Sequence, residues 1–336
     1  MSLSVNRARK LISSFSGQRI LVVGDLMLDR FIYGSVSRIS PEAPVPVVRV
    51  KSESNMPGGA SNVAWNIQSL GGRSAVGGFA GDDQAAAELR SVLARGKVGV
   101  DCVQTVPGSC TTVKTRIIAE HQQVCRVDWD AEPDYKNADF DLFTKTLRKE
   151  VGRATGVIIE DYGKGVVRQA VVDAVISAAK MKGIPVGFDP KDNCDLKVSG
   201  VTVAMPNHRE AFWGAGMKET PVKSDPLKDV SLLKAGERLL KIWEPGFVVI
   251  TLGSLGMLMM AENAKPVHIP TRAREVYDVS GAGDTVVAAT VLALAAGATH
   301  REAAELANFA AGVVVGKLGT ATCTASELLK SVREGL

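Results

Sequence analysis

Apolar strand-like runs alternate with amphipathic helical stretches along most of this chain, and this alternation limits the possible folds more than any other feature. The first run covers residues 19–23, shows no polar alternation and is followed by Gly24 and Asp25. Such a run is typical of a strand that is covered on both faces. Strands separated by helices favour parallel pairing. The sequence therefore predicts an α/β fold with a mostly parallel central sheet and helices on both faces.

The same two patterns recur further along the chain. The other predicted strands are 156–160, 185–188, 201–205 and 247–251, and the predicted helices are 60–70, 83–95, 136–151, 168–182 and 230–243. A length of 336 residues suits one large α/β domain, 1–336, that carries an insertion.

Two segments interrupt the alternation. Residues 41–50 contain three prolines and a β-rich end, and residues 111–128 resemble two strands joined by a turn at Glu120 and His121. Strands that contain proline belong at sheet edges. We expect a small β-lid from about 31–52 and 110–129. Pattern alone leaves open whether it closes over a substrate or is an ordinary edge hairpin.

Composition and charge exclude several classes of protein. The net charge is 40 − 36 = +4, without a basic block, which argues against a nucleic-acid partner. The most apolar stretch, 286–298, is too short to span a bilayer, and residues 1–17 lack signal-peptide features. Five scattered cysteines without a CxxC pair indicate reduced thiols. We therefore expect a cytoplasmic protein with a small-molecule substrate and no membrane partner.

The strongest chemical signal is the run Gly281-Ala282-Gly283-Asp284, which precedes an apolar helical stretch. Glycines at a helix start leave backbone N–H groups available, and such an N-terminus binds anions. Asp284 would lie in the first turn, beside the anion. Taken alone, an acidic residue there is more often a cap, so the functional interpretation needs a second motif.

Two further motifs supply polar groups near strand ends. Gly58, Gly59 and Asn62 open a predicted helix and could hold sugar hydroxyls, although a plain helix start is the alternative. Asp25 follows the first strand, where ligands bind in open α/β sheets, and its carboxylate could accept two sugar hydroxyls. Asp29 is a second candidate for the sugar site, or a turn residue.

With these motifs the chain resembles the ribokinase-like (PfkB) carbohydrate kinases over nearly its full length. GGASN and DVSGAGDT look like the two signatures of that family, and GDLMLDRFIYGSVSRISPEAPVPVV, EDYGKG and MPNHRE resemble its branch that acts on D-glycero-β-D-manno-heptose 7-phosphate. The resemblance implies transfer of the γ-phosphoryl group of ATP to the anomeric C1 hydroxyl. The product would be the 1,7-bisphosphate, used in ADP-heptose and lipopolysaccharide core biosynthesis. A kinase for another sugar or sugar phosphate, or a non-catalytic sugar-binding regulator, remains an alternative.

The resemblance also implies roles for individual residues. Asp284 would be the catalytic base, and the N–H groups of Gly281, Ala282 and Gly283 would form an anion hole. ATP and Mg²⁺ are the expected cofactors, with Glu210 acting on the metal through water and a monovalent cation left open. The residues implied for the nucleotide are Lys191, Asn207, His208, Arg209, Glu210, Thr251, Gly253, Gly256, Asn308 and Gly312. From the pattern alone, Asn207 is a helix N-cap and Glu210 its capping-box partner.

The resemblance gives the predicted lid two roles, covering the sugar and forming a homodimer contact. The substrate phosphate needs cations, and the candidates are Arg38, Lys114, Arg116 and Arg126. For each of them a solvated surface position is the alternative. One departure from the branch is Glu160, where relatives commonly carry a small polar residue.

Overall fold

The computed structural model describes residues 3–120, 122–130, 135–192, 195–273, 276–317 and 319–335. Within these ranges, thirteen strands form two sheets and ten α-helices surround them. The strands are β1 (Arg19–Gly24), β2 (Leu26–Ile39), β3 (Pro46–Gly59), β4 (Arg73–Ala80), β5 (Gly99–Thr105), β6 (Thr112–Ala119), β7 (Gln122–Trp129), β8 (Gly156–Glu160), β9 (Val186–Asp189), β10 (Val203–Ala204), β11 (Phe247–Thr251), β12 (Met257–Met260) and β13 (Val267–Ile269). The helices are α1 (Val5–Ser13), α2 (Ala60–Ser69), α3 (Gln84–Arg95), α4 (Phe140–Val151), α5 (Gln169–Lys182), α6 (His208–Gly214), α7 (Val230–Ile242), α8 (Ala282–Ala295), α9 (His300–Val314) and α10 (Ala325–Gly335).

The larger sheet has nine strands in the order β13-β12-β11-β10-β9-β8-β1-β4-β5. Pairing is parallel from β5 to β11 and antiparallel for the last two strands. One apolar core lies between the sheet and helices α1, α2, α3, α8, α9 and α10, and a second core lies under α4, α5, α6 and α7. This arrangement confirms the predicted α/β fold with helices on both faces.

The strand order creates a crevice at one edge of this sheet. The chain adds β4 and β5 on one side of β1 and the strands from β8 onward on the other side. The direction of winding therefore reverses between β1 and β8. Ligands of open α/β sheets bind outside the carboxyl ends of the strands at such a point. Gly24, Glu160 and Asp189 all lie at this edge, each as the last residue of its strand.

The second sheet has four strands in the order β3-β2-β6-β7. Strands β2 and β3 are longer than the predicted lid, because their pairing already begins at Leu26 opposite Gly59. Gly58 and Gly59 are thus the end of β3, and α2 begins only at Ala60, with Gly59 as its N-cap at φ +55°. Of the three prolines in residues 41–50, only Pro46 lies in a strand, and that strand, β3, is at the edge of its sheet as predicted. His121 of the predicted turn lies outside the described residues.

Several element boundaries differ from the predictions. Helix α4 begins at Phe140 rather than at 136, because the Asp139 side chain accepts the Leu142 N–H at 2.8 Å and caps the helix there. Strand β4 escaped prediction because Gly77 and Gly78 weaken its strand pattern. Gly78 is needed, since a Cβ there would lie 2.5 Å from the Gly24 carbonyl oxygen. Among the described residues, none of the helices has the length and apolarity that crossing a membrane requires.

Candidate active site

Asp284 lies in the first turn of α8, as the Gly-rich motif predicted. Gly281 caps this helix with φ +77°, a conformation that favours glycine. A Cβ at position 281 would also lie 3.1 Å from the Asn62 amide nitrogen. The motif therefore needs glycine at this position for the backbone turn and for the close approach of α2. The result is a buried carboxylate at a helix N-terminus.

Each oxygen of the Asp284 carboxylate has its own hydrogen-bond donor. Asn62 Nδ2 donates to Oδ2 at 2.5 Å, and the Tyr162 hydroxyl donates to Oδ1 at 2.8 Å. Burial raises the pKa of Asp284, and these two donors partly offset the rise. A carboxylate with a raised pKa is a stronger base, which suits proton abstraction. Asn62 thus binds the base, and its predicted contact with sugar hydroxyls stays a prediction.

Asp25 has a different role from the predicted one. It has 0% exposure, and its carboxylate accepts three backbone N–H groups, from Tyr162 at 2.9 Å, Lys164 at 3.1 Å and Val166 at 3.1 Å. This geometry contradicts the expected binding of sugar hydroxyls. A buried carboxylate needs hydrogen-bond donors, and here the loop after β8 supplies them. Asp25 therefore holds that loop against the end of β1.

A cavity of about 210 Å³ opens beside Asp284. Seven of the predicted site residues line it, and so do residues from the ends of β8 and β9 that the sequence did not single out. The predicted ones are Lys191, Asn207, Glu210, Thr251, Gly281, Gly283 and Asp284, and the others include Glu160, Asp161, Tyr162 and Asp189. Loops from four strands and the start of α8 thus meet at one crevice.

The three glycine-motif amides do not behave alike. Gly281 and Gly283 line the cavity, whereas the Ala282 N–H donates to the Val279 carbonyl at 3.2 Å. This bond contradicts the assignment of Ala282 as a free donor of the anion hole. Gly281 and Gly283 remain candidates for anion binding at the positive end of the helix dipole.

Asn207 and Glu210 form the capping box that their spacing predicted. Glu210 N donates to Asn207 Oδ1 at 3.0 Å, and Asn207 N donates to Glu210 Oε2 at 2.8 Å. Burial raises the pKa of Glu210, and the Asn207 N–H and Lys191 partly offset the rise. Both residues also line the cavity, so the cap orients Glu210 at its wall.

Two more carboxyl groups meet where β8 and β9 end. Glu160 pairs in register with Asp189, and Glu160 is only 1% exposed. Burial and the neighbouring Asp189 raise the pKa of Glu160 well above its usual value, and burial together with Glu210 does the same for Asp189. Glu160 Oε2 has no hydrogen-bond partner among the described residues, although it is buried. An orphaned carboxylate oxygen at the cavity wall fits a site for a cation.

Mg²⁺ suits this wall because it binds to one or two carboxylates together with water and phosphate oxygens. Among the described residues, no group of three acidic, histidine or cysteine side chains has the spacing to enclose a metal. Glu160, Asp189 and Glu210 line this wall but do not enclose a metal by themselves, so Mg²⁺ there would need nucleotide phosphate oxygens and water as its other ligands.

Some residues predicted for the nucleotide lie away from this cavity. His208 Nδ1 is 3.1 Å from Glu219, and Arg209 is paired with Asp192 at 3.1 Å. Gly253 and Gly256 form the tight turn between β11 and β12, with φ of +57° and +87°. None of these four residues lines the 210 Å³ cavity.

Asn308 and Gly312 of α9 also lie apart from the cavity. Asn308 Nδ2 donates to the Pro270 carbonyl at 2.7 Å. A Cβ at Gly312 would lie only 3.0 Å from the Arg272 carbonyl carbon. Both residues hold the segment after β13 against α9, and Gly312 lines a separate groove of about 740 Å³. Their predicted place beside the adenine stays a prediction.

One face of the second sheet carries most of the residues predicted for the sugar. Asp29 pairs in register with Lys114, and Arg116 pairs with Arg126, so all four share a face. Arg116 Nη1 lies 3.0 Å from Asp29 Oδ1 as an ion pair, and this contact lowers the pKa of Asp29 against the larger effect of burial. A Cβ at Gly58 would lie 3.0 Å from the Asp29 carboxyl carbon.

This face adjoins Asp284. The Lys114 ammonium group lies 5.4 Å from the centre of the Tyr162 ring, whose hydroxyl binds Asp284. Burial raises the pKa of Asp29, and Arg116, Lys114 and Arg126 offset part of the rise. Arg126 is paired with Asp128 at 2.9 Å. Arg38 is exposed near the far end of β2, beyond the part that pairs with β6, so the structure does not bring it to the site.

Sequence reasoning missed Tyr162 as a site residue. A signal was present, since Tyr162 belongs to the polar EDYGKG stretch that directly follows a buried strand. Only the fold shows that its hydroxyl reaches a carboxylate 122 residues further along the chain.

The fold and this crevice define a class, the α/β sugar kinases. The pfkB family of carbohydrate kinases matches residues 18–327, and the chain belongs to that family. The family consists of ATP-dependent sugar kinases.

Individual relatives are more specific. Over 318 residues the chain is 43% identical to the "Bifunctional protein HldE" of Caulobacter vibrioides, covering 94% of this chain and 63% of that protein. It is 40% identical over 324 residues to the protein of the same name from Vibrio cholerae, and the match covers 96% of this chain and 65% of that protein. The chain thus spans less than two thirds of the length of these curated relatives.

Solved structures show the same fold at lower identity. Arabidopsis thaliana ribokinase, complexed with ribose and ATP, has a TM-score of 0.71 at 20% identity, covering 94% of this chain and 99% of the other. Escherichia coli phosphofructokinase-2 in complex with potassium has a TM-score of 0.72 at 21% identity, and the match covers 94% of this chain and 99% of the other.

Proposed function

We propose that this protein transfers the γ-phosphoryl group of ATP to the anomeric hydroxyl of D-glycero-β-D-manno-heptose 7-phosphate. The observation that carries the proposal is the position of Asp284. It lies between a cavity walled by helix-start amides and carboxylates and a sheet face that carries Asp29, Lys114 and Arg116. The similarity to proteins named HldE supports the choice of a heptose.

Asp284 would act as the general base. Its ionised carboxylate takes the proton of the sugar hydroxyl while that oxygen attacks the γ-phosphorus and the bond to the leaving ADP breaks. Burial keeps this carboxylate out of water and makes it more basic. A positioned general base contributes about 10²–10⁴-fold to the rate.

The cavity wall would bind the nucleotide phosphates. Gly281 and Gly283 lie at the N-terminus of α8, where unpaired amides and the helix dipole favour an anion. Lys191 adds a positive charge at the same wall. Mg²⁺, when bound, neutralises part of the phosphate charge. Glu160, Asp189 and Glu210 are placed to orient it.

The second sheet would bind the sugar phosphate. Asp29 and Arg116 are paired with each other at 3.0 Å, and a ligand could add further hydrogen bonds to both groups. Asp29 is suited to sugar hydroxyls, and Arg116 and Lys114 to the 7-phosphate, because guanidinium binds phosphate in a bidentate manner. Arg126 is half exposed and already paired with Asp128, so its share should be smaller.

A substrate panel with ADP detection tests this proposal. Purified protein with Mg-ATP should release ADP fastest with the heptose 7-phosphate. The matched control is the same heptose without its phosphate, which should turn over much more slowly. Asp284→Asn should abolish turnover while calorimetry still detects ATP binding. Faster turnover of a different sugar would replace the substrate assignment, and an active Asp284→Asn variant would remove the base.

The second sheet would also form the contact of a homodimer. It exposes large apolar side chains, among them Ile39 at 61%, Val50 at 57% and Trp129 at 52%. Exposed apolar patches mark interaction surfaces. Light scattering should give a dimer that Trp129→Glu weakens, and a monomeric wild type would contradict the contact.

A further inference from the structure

We propose that Tyr162 is a positioning residue that, together with Asn62, fixes the orientation of the Asp284 carboxylate for proton abstraction. The proposal rests on the proposed function only in taking Asp284 as the base. It holds for whichever sugar the enzyme phosphorylates.

The geometry around Asp284 has one donor for each oxygen. The Tyr162 hydroxyl comes from the loop between β8 and α5, and the Asn62 amide comes from the first turn of α2. A carboxylate can rotate about its Cβ–Cγ bond, because this torsion is broad. Two donors from separate elements define the carboxylate plane, whereas a single donor leaves it free to turn. The lone pairs left over on Oδ1 and Oδ2 then point in set directions.

The loop that carries Tyr162 is itself held firmly. Three of its backbone N–H groups, from Tyr162, Lys164 and Val166, donate to Asp25. Gly163 and Gly165 have φ of +68° and +94°, which lets the backbone curl around that carboxylate. Burying the Asp25 carboxylate completely costs desolvation free energy. That cost indicates that the position of the loop is important. From this loop the Tyr162 hydroxyl reaches the base.

The ring of Tyr162 also contacts the second sheet. Lys114 of β6 lies 5.4 Å from the ring centre, close enough for a cation–π interaction. The ring is therefore restrained by Lys114 near its face and by Asp284 at its hydroxyl. An ordinary phenol is protonated at neutral pH, so the hydroxyl is a donor there.

The charges around Asp284 determine what a loss of the phenol does. Asp29 of β2 raises the pKa of Asp284, Lys114 of β6 lowers it, and Glu160 and Asp189 lie close enough for Asp284 to raise their pKa values. The Tyr162 hydrogen bond favours the ionised carboxylate. Removing it should raise the pKa of Asp284, so activity should be lost at a higher pH than in the wild type.

Tyr162→Phe tests the proposal, with Tyr135→Phe as the matched control. Tyr135 is a second buried phenol, and its ring is 5.0 Å from that of Phe79. In Tyr162→Phe, kcat should fall about 10-fold or more while the KM for sugar and for ATP changes little. The acidic limb of the kcat/KM profile should move up by about one pH unit, the effect of one hydrogen bond to a charged group. Tyr135→Phe should match the wild type in both respects.

A second measurement leaves the fold intact. Biosynthetic replacement of the four tyrosines by 3-fluorotyrosine makes each phenol a stronger donor. The acidic limb should then move down, and only in protein that retains Tyr162.

The outcomes separate the two proposals. An inactive Asp284→Asn beside a Tyr162→Phe with unchanged kcat and pH profile would overturn the role of Tyr162 alone. An active Asp284→Asn would overturn the assignment of the base itself. A Tyr162→Phe effect confined to KM would place the phenol in substrate binding and would also overturn the positioning role.

Discussion

Asp284 and Asp29 are both buried carboxylates beside the same crevice, but their surroundings differ. Asp284, next to the nine-stranded sheet, has a side-chain donor on each oxygen. Asp29, in the four-stranded sheet, is instead paired with the guanidinium of Arg116 at 3.0 Å.

The contrast separates two tasks of an enzyme. A catalytic group must be held in one geometry before the substrate arrives, and hydrogen bonds within the protein do this. A binding surface gains affinity when its polar atoms find their partners in the ligand, because buried polar atoms without partners are costly. Asp284 is therefore the preorganised group of the site, whereas Asp29 and Arg116, like the Glu160 Oε2 atom at the end of β8 that lacks a hydrogen-bond partner within the described residues, are groups whose bonding a ligand could complete.

The largest effect should follow from loosening the loop after β8, which presents Tyr162 to Asp284. Asp25→Asn replaces one acceptor oxygen by an amide, which leaves one or two loop N–H groups without a partner. We expect the free energy of unfolding in urea to fall by about 2–3 kcal/mol. The matched control is Asp161→Asn in the same loop. Its Oδ1, which accepts the Gly163 N–H at 2.8 Å, is retained, so it should be nearly neutral. Equal losses in both variants would contradict the role of Asp25.

A smaller effect should follow from a substitution in the four-stranded sheet, at the proposed sugar phosphate site. Arg116→Met removes a partly buried guanidinium, and the KM for the sugar phosphate should rise about 10- to 100-fold, the loss of one charge-assisted hydrogen bond. The KM for ATP should not change. Arg126→Met is the control, because Arg126 is paired with Asp128 and half exposed, and its KM should rise only a few-fold. Similar values for both variants would show that Arg116 has no special contact.

The pH dependence should report the base. Burial raises the pKa of Asp284, with Asn62 and Tyr162 partly offsetting it, and only the ionised form accepts a proton. Activity should therefore be full above the raised pKa and should fall as the pH drops through it, by at most about 10-fold per pH unit. The acidic limb should lie above the value of about 3.9 for an exposed aspartate. A kcat/KM profile at saturating Mg-ATP measures it, and a limb at or below that value would count against a buried base.

The smallest effect concerns an ion pair outside both sheets. Arg7 of α1 bonds to Glu302 of α9 at 2.9 Å, and this contact lowers the pKa of Glu302 to about 2. A lowered folded-state pKa gives stability that is present above about pH 4.5 and is lost as the pH falls toward 2. Glu302→Gln should cost at most about 1 kcal/mol at pH 7, because water screens the pair. Thermal melts from pH 7 to 3 should show the difference shrinking, and a constant difference would contradict this origin.

Much of the fold could be predicted from local pattern. The buried runs and helical periods located β1, β8, β9, β11 and five helices, because these signals depend on neighbouring residues. The Asn207–Glu210 capping box was predicted for the same reason. His208 and Arg209 share that motif but lie outside the cavity. A helix turns about 100° per residue, so positions i and i+3 face together and the two between them do not.

The roles of the acidic residues needed the tertiary structure. Asp25 and Asp29 are four residues apart and looked alike as candidates. The chain folds Asp25 against the loop after β8 and Asp29 onto the face of β2 that meets Lys114. Asn62 and Asp284 were predicted as members of two separate motifs, and their hydrogen bond joins positions 222 residues apart.

By itself the sequence determined the α/β class, the helix start at Asp284 and the family, because strand, helix and turn signals are local. The tertiary structure decided which polar groups meet. It placed the Tyr162 hydroxyl on Asp284, bound the Asp25 carboxylate to the loop after β8 and paired Asp29 with Arg116. Hydrogen bonds depend on distances of about 3 Å between atoms, and only the packed chain defines such distances for residues far apart in sequence.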